Sequence, residues 1–452
     1  MTIVGAGLVG SLWAILLRQQ GFDVEVYERR SDMRKAQASA GRSINLVITS
    51  RGLNGLQMAG LREDVTKLAV AVYGRMIHTP AGEQVYQAYG KANEYNLSIS
   101  RDALNRFLIT AAENAGVRFH FEHELEAINV VEKRLTVTSA QTSEAQREVA
   151  FEILFAADGA GSRVRKCLAK TEDLVESTEW LEADYKELRL PLGHDGKPQL
   201  DPSALHIWPR GDHMMMALAN QDDSFTATIY LPKKRFAELQ TPEAVELLFK
   251  TEFADAIPMM KNYVQDFLEH PQGMLGTVRT SKWVFHDSIA LLGDAAHAIV
   301  PFFGQGMNSG FEDCTTLFTL LEKEKDWSEI LREFERIQKP NAHAIADMAL
   351  DNWVEMRDRV GDPAFLLRKK VDGALEARHP LVYKSRYGQI TYTLVPYSLA
   401  QKAGVVQNRL LDELIGTATS FEQISWEKAD QLLRDIWKPF VDANGLKIEN
   451  FV

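Results

Sequence analysis

The spacing of apolar positions changes along the chain, and the changes divide it. Residues 1–68 read as strand, helix, strand, helix, with an apolar strand into Val4, a helix over 11–20 and a second strand over 24–28. The pattern returns at 101–173, where residues 101–115 form an amphipathic helix and short strands follow. From 174 to 275 the texture is antiparallel. Strands over 205–208, 213–219 and 225–231 are separated by the turn-rich segments 209–212 and 220–223. In the third strand Phe225, Ala227 and Ile229 alternate with Thr226, Thr228 and Tyr230, which predicts a sheet with one face packed and the other toward solvent or a cavity. The stretch 69–96 is expected to add strands to that sheet. Strand then helix resumes at 284–323, and 328–452 is largely helical with interruptions expected at Pro340, at 361–363 and at Pro380.

Three strand ends carry chemistry. Gly5-Ala6-Gly7-Leu8-Val9-Gly10 is a G-x-G-x-x-G between a strand and a helix: Gly5 permits the tight turn, Gly7 lets backbone approach a pyrophosphate, and Gly10 allows close helix–strand packing. The helix start offers unpaired N–H groups and positive dipole to phosphate. Glu28, 23 residues beyond Gly5, ends the second strand where a carboxylate can accept from ribose hydroxyls. The strand over 151–157 ends in Asp158-Gly159-Ala160-Gly161-Ser162-Arg163-Val164-Arg165, read either as a nucleotide element or as a plain turn with Ser162 as N-cap. The strand over 288–292 ends in Gly293-Asp294-Ala295-Ala296-His297. The segment Pro301-Phe302-Phe303-Gly304-Gln305-Gly306-Met307-Asn308-Ser309-Gly310 then leads into a helix. Its glycines let backbone approach a flat ligand, and Asp294 is either an acceptor for a ribitol or ribose hydroxyl or a turn residue.

Composition narrows the field. In 452 residues, 45% hydrophobic and 25% charged, 51 Lys and Arg stand against 62 Asp and Glu, and the net charge of −11 disfavours nucleic acid and anionic lipid as partners. The two cysteines, Cys167 and Cys314, form neither a disulfide framework nor a metal motif, so no metal is expected and a reducing, cytoplasmic setting fits. Residues 1–17 are uncharged and mostly apolar, but they lack a basic n-region and their glycines belong to the nucleotide turn, so neither a signal peptide nor a membrane anchor is expected.

Together the Gly5–Gly10 motif with Glu28, the Asp158-Gly159 element with Ser162 and Arg165, and Gly293-Asp294 before the glycine-rich helix start resemble the signature of the single-component flavoprotein monooxygenases of the aromatic hydroxylase type. The resemblance implies an α/β fold. An FAD-binding Rossmann-like domain would be assembled from 1–68, 97–173 and 276–340. An interleaved antiparallel β-sheet substrate domain would come from 69–96 and 174–275, with a helical C-terminal region, 341–452, completing and capping the pocket. It further implies FAD contacts at Gly5, Gly7, Val9, Gly10, Glu28, Arg29, Arg30, Val47, Arg101, Leu125, Asp158, Arg163, Asp294, Gly306, Met307 and Asn308. The loop with Phe302, Phe303 and Gln305 would lie near flavin and substrate and exclude water.

Several stretches, 41–46, 185–188, 205–210, 224–226 and 291–314, are similar to the branch of this family that hydroxylates L-kynurenine, a step of tryptophan degradation. The resemblance then implies that NADPH, as transient co-substrate, reduces FAD. O2 would add to give a flavin C4a-hydroperoxide, and oxygen would pass to the ring carbon ortho to the aniline nitrogen. Substrate positions fall on Arg75, Tyr89, Asn352 and Tyr397. Arg75 can offer a planar fork to a carboxylate, the tyrosines can donate, and Asn352 can do both. Met348, Asn352 and Met356 recur at i, i+4, i+8 and share a helix face, so Met356 joins the set. Read without the resemblance, each of these is an ordinary surface cation, packing tyrosine or core stripe. The amino group already activates the target carbon, so no catalytic base is assigned, and His297 reads more simply as a structural hydrogen bonder. Two other functions suit the same fold: hydroxylation of another aromatic acid, and a non-catalytic binding or escort role.

Overall fold

The computed structural model describes residues 1–35, 45–139, 146–359 and 362–446, apart from the side chains of 358 and 359. Gly41, Arg42, Ser43 and Ile44, which begin one of the similar stretches, lie outside the described residues. The chain forms two units. Met1–Ala69, Ser98–Glu182 and Gly273–Ala346 make the first, and Val70–Leu97, Ala183–Gln272 and Asp347–Val452 the second.

The first unit is built on a six-stranded sheet in the order Val284–Phe285, Ile289–Leu291, Leu154–Ala156, Thr2–Val4, Glu25–Glu28, Arg118–Phe121. All neighbours are parallel except the first pair. Its central strands are buried along their whole length, which is why they read as continuous apolar runs. Strand order reverses at Thr2–Val4, so a crevice opens at that strand's carboxyl end, the position where doubly wound sheets take ligands. Helix Leu8–Gln19 starts earlier than the apolar spacing suggests, directly on the glycine turn, and packs on the sheet with Trp13 edge-on to Phe155 at 5.2 Å.

The second unit carries a mostly antiparallel sheet. Residues 183–190 pair with Phe225–Pro232, followed by Met214–Ala219, Ala204–Pro209, Gly74–His78 and Gln84–Ala88, and only the Ala204–Pro209 and Gly74–His78 pair is parallel. One face, with Trp208, Met215, Ala217, Phe225, Ala227 and Ile229, packs on Phe236, Val245, Phe249 and Phe267 from three short helices. The opposite face is covered too. Tyr230 is fully buried, its ring 6.0 Å from Tyr185 and 6.3 Å from Trp353.

The break expected at Pro340 does not occur: helix Trp327–Val354 runs through it. Leu331 and Phe334 before the proline and Ala342 and Ile345 after it are all buried, so packing outweighs the lost hydrogen bond. Breaks do fall before Pro363, where Asp362 caps the next helix, and after Arg378. Among the described residues no helix is long and apolar enough to cross a membrane, and no group of three or more His, Cys, Asp or Glu side chains could hold a metal.

Candidate functional site

The glycine turn of the first unit has the geometry that a dinucleotide needs. Gly5 sits at φ +105°, and a Cβ there would lie 2.5 Å from the Ala157 carbonyl oxygen, while one on Gly10 would lie 2.1 Å from the oxygen of Gly5. A Cβ on Gly7 meets nothing within 4 Å, which leaves the turn open to an approaching group. Two helices begin here without a side-chain cap, Leu8–Gln19 behind Gly7 and Gly306–Lys323 behind Gln305, so their first N–H groups remain available to an anion. Elsewhere in the unit Ser100 and Ser162 cap their helices, while Ser50–Met58, Arg62–Lys67 and Asp294–His297 also begin without a bond from their own N-cap side chain. Glu28 accepts from Ala6 N and Arg30 N, each at 2.9 Å, which aims its carboxylate at the turn. Arg29 and Arg30 follow it, exposed. Asp294 opens the short helix Asp294–His297 after Gly293 at φ +54°, and its half-buried carboxylate accepts no hydrogen bond from the described residues. These features fit an FAD: uncapped helix starts for its phosphates and two carboxylates for its hydroxyls.

Other expected contacts are committed within the protein. Asp158 accepts from Ser162 Oγ at 2.6 Å and from the backbone N–H of Arg163 at 2.6 Å and Val164 at 3.1 Å, so its side chain serves the start of helix Arg163–Thr171. Burial raises its pKa, against those three donors. Arg163 reaches back to the Leu125 carbonyl at 3.2 Å. The buried Arg165 binds the carbonyls of Ala160 and Ala295 and pairs with Glu176, joining the second and third motifs. Asn308 spends its whole amide on backbone: Oδ1 accepts from Thr49 N and Gly52 N at 2.9 and 3.2 Å, and Nδ2 donates to the carbonyls of Val47 and Gly304 at 2.7 and 2.8 Å. His297 bonds Asp313 at 2.7 Å and stacks on Trp283, while Asp313 also takes the Gly293 N–H. Burial opposes the His297 cation, yet Asp313 raises its pKa. That is a structural bond. Phe302, Phe303 and Gln305 are buried, Met307 is half-buried, and Arg101 is exposed at the start of its helix. Val9 packs beneath Gly293 and Gly310, where an added Cβ would meet its side chain.

The second unit holds the expected substrate residues. Arg75 lies half-buried on Gly74–His78, its guanidinium carbon 5.6 Å from the centre of the Tyr89 ring. Burial pushes the Tyr89 hydroxyl pKa up, so it stays a donor. Asn352 is 5% exposed and its Nδ2 meets the Met356 sulfur at 3.4 Å, which realises the i, i+4 face. Met348 and Asn352 belong to Trp327–Val354, but Met356 falls in the π-helical turn Glu355–Arg359, a feature frequent at functional sites. Tyr397 is fully buried and opens helix Tyr397–Ile415.

Sequence reasoning passed over three residues beside this set. Tyr387 stacks on Tyr89 with centroids 5.4 Å apart, and Asn96 donates to its hydroxyl at 2.9 Å. Glu355 pairs with Lys369 at 3.0 Å. Burial works against its carboxylate, but Lys369 and then Arg75 bring its pKa below the usual range. One signal was present: four of the chain's twelve tyrosines fall between 383 and 397.

Comparison with known proteins agrees with this geometry. A family model described as "FAD binding domain" matches residues 1–349. A kynurenine 3-monooxygenase of Myxococcus xanthus is 43% identical over 99% of this chain and 98% of its own, and one of Cytophaga hutchinsonii 43% identical over 92% and 93%. Among solved structures, 2-methyl-3-hydroxypyridine-5-carboxylic acid oxygenase is similar with a TM-score of 0.65 at 19% identity, over 81% of this chain and 94% of that one. PqsL of P. aeruginosa, solved in complex with 2-aminobenzoylacetate, reaches 0.62 at 20% identity, over 78% and 97%. These two share the fold. With the dinucleotide turn, the uncapped helix starts and near full-length identity to named relatives, the chain belongs to the kynurenine 3-monooxygenase family of FAD-binding proteins.

Proposed function

We propose that this chain is an FAD-dependent monooxygenase that converts L-kynurenine, NADPH, O2 and a proton into 3-hydroxy-L-kynurenine, NADP+ and water. The observation that carries the substrate assignment is Arg75, a permanent cation held half-buried against the Tyr89 ring in a sheet whose faces are covered. A buried guanidinium calls for a carboxylate, and the α-carboxylate of an amino acid supplies one. Tyr89 and Tyr397 donate to the polar end of the substrate. Asn352 both accepts and donates there, with Met356 as an adaptable apolar wall.

When bound, FAD supplies the electron transfer and oxygen activation that no side chain provides. The protein's part is to hold it and keep its surroundings dry. The N–H groups at the starts of Leu8–Gln19 and Gly306–Lys323 take phosphate, Glu28 and Asp294 accept from hydroxyls, and the buried Phe302 and Phe303 exclude water. His297 keeps its proton on the Asp313 bond and is no base for the reaction. A cytoplasmic setting completes the reading, supported by Cys167 and Cys314 both being free thiols.

The test is NADPH oxidation by the FAD-loaded protein with and without L-kynurenine, with product mass. The expected result is substrate-stimulated oxidation and a product heavier by one oxygen. Oxidation indifferent to L-kynurenine, with no oxygen gained, would remove the substrate assignment and leave the fold and FAD site intact.

A further inference from the structure

The chain just beyond Tyr89 is held by a buried charge cluster that the reaction proposed above does not use. Tyr89 N donates to the Tyr73 carbonyl at 3.0 Å, which fixes the backbone on entry to the residue. On the far side Glu94 folds back over the chain. Its Oε2 accepts from Lys91 N at 2.9 Å, and its own N–H donates to the Lys91 carbonyl at 2.9 Å. The fit is so close that a Cβ on Gly90 would lie 2.1 Å from that Oε2. Gly90 lies outside the left-handed region, so its backbone angles do not call for glycine. The carboxylate does, because it occupies the space a side chain would take.

The end of a glutamate side chain would ordinarily step aside, but this one is pinned. Glu94 Oε1 accepts from Lys384 Nζ at 2.5 Å, and the same ammonium reaches Glu376 Oε1 at 3.3 Å. Lys384 is 2% exposed, and both carboxylates are nearly buried. Its backbone is anchored too: the Lys384 carbonyl accepts from the buried Gln389 and Gln407 at 2.8 and 2.6 Å, and the next N–H, that of Ser385, donates to Glu376 Oε2 at 3.0 Å. All these residues belong to the second unit. A buried ion cluster gains little stability over apolar packing of the same volume, because desolvation offsets the attraction. What this one fixes is a direction, from Lys384 through Glu94 to the residue that follows Tyr89.

We propose that Glu94, pinned by Lys384, is a positioning residue for substrate: it seats Gly90 and thereby sets where the Tyr89 hydroxyl stands. This rests on the reading of Tyr89 as a donor to the polar end of the substrate and extends it to a cluster that acts only through that tyrosine.

The experiment is steady-state kinetics on the FAD-loaded full chain for wild type, E94Q, K384M, E94Q/K384M, Y89F and Y89F/E94Q. E94Q keeps the shape but leaves one oxygen for two donors. It is expected to raise KM for L-kynurenine about tenfold while kcat stays within about threefold, the size of one lost hydrogen bond to a charged group. K384M leaves two carboxylates facing each other without their cation, so KM should rise further, about a hundredfold. E94Q/K384M removes one of the two charges and should fall back toward E94Q, a coupling that independent sites would not give. In the Y89F background, where the hydroxyl to be placed is gone, E94Q should change KM by less than about threefold.

An unchanged KM in folded E94Q overturns the proposal, as does a rise of equal size with and without the Tyr89 hydroxyl, which would make the cluster a general support. Loss of the folded state in E94Q would assign Glu94 to stability alone and overturn it too. E94Q and Y89F/E94Q decide the matter whether or not K384M folds. If the wild type ignores L-kynurenine, or Y89F leaves KM unchanged, the substrate reading has failed and this inference falls with it. A responsive wild type and an impaired Y89F beside an indifferent E94Q sink the inference alone.

Discussion

Replacing Asn308 with alanine tests whether that residue serves the flavin directly or the backbone around it. The structure gives the amide four backbone partners: the N–H groups of Thr49 and Gly52 and the carbonyls of Val47 and Gly304. Thr49 is the N-cap of helix Ser50–Met58 and its own side chain makes no capping bond, so Asn308 caps that helix from another part of the chain. In N308A two buried donors lose their only described partner, at about 1–3 kcal/mol each, whereas the carbonyls suffer less because each retains a second lone pair. Allowing for water entering the vacated space, we expect a loss of about 3 kcal/mol, or roughly 6–12 °C in Tm for a unit of this size. N308D keeps the acceptor but turns both donors against carbonyl oxygens, and should be no better. The assay is thermal unfolding of apo and FAD-loaded protein side by side, with flavin fluorescence reporting release. A clamp predicts that the apoprotein loses as much stability as the loaded form. An apoprotein with unchanged Tm and only weakened FAD binding would refute the argument and make Asn308 a ligand.

Three further outcomes follow from the same structure. R75K keeps the charge and loses the fork, so KM for L-kynurenine should rise about ten- to a hundredfold with a smaller change in kcat, measured as substrate-stimulated NADPH oxidation; an unchanged KM would remove Arg75 from carboxylate recognition. G10A puts a Cβ 2.1 Å from the Gly5 carbonyl, a backbone atom that cannot step aside, so the variant should purify with little FAD, read from the flavin-to-protein absorbance ratio. A full complement of flavin would show that the turn can shift. Stability should also fall on the acid side through His78. Burial first, then His206 at 2.9 Å and Arg210, hold its imidazole well below the usual value against the pull of Asp255. Between that value and the unfolded one near ~6.5, the unfolded chain binds the extra proton, so this contribution is complete above about pH 6.5 and shrinks as pH falls, by on the order of 1–2 kcal/mol at pH 5. Urea midpoints at pH 7 and pH 5 should converge in H78Q, and an equal acid shift in wild type and variant would assign the loss elsewhere.

What could be read from the sequence was what is determined locally. The strand, glycine turn and helix at Gly5–Gly10 are legible because Gly5 and Gly10 answer to backbone within a few residues or on the adjacent strand, and Glu28 because it ends the next strand. The three sheet strands were legible to within a residue at each end, bounded by their turn segments, and the third also by its period of two. Pro340 misled because the local rule is sound and packing on both sides overrides it. Tyr387 went unnoticed for a related reason: nothing in its own helix marks it, and its meaning comes from Arg75 and Asn96, which the fold brings from far along the chain.

Gly52 makes the limit sharpest. In the sequence it is one more glycine in a helix, where it should cost stability relative to alanine. In the structure a Cβ at that position would lie 2.5 Å from Asn308 Oδ1, the atom that accepts the Gly52 N–H from 256 positions away. The glycine and the asparagine are therefore one device. A pattern search over either segment sees half of it, as an unexplained helix glycine or as a residue marked for flavin. Glycines whose constraint is local announce themselves in a motif, whereas those constrained by a distant side chain become legible only once the fold has brought the two together.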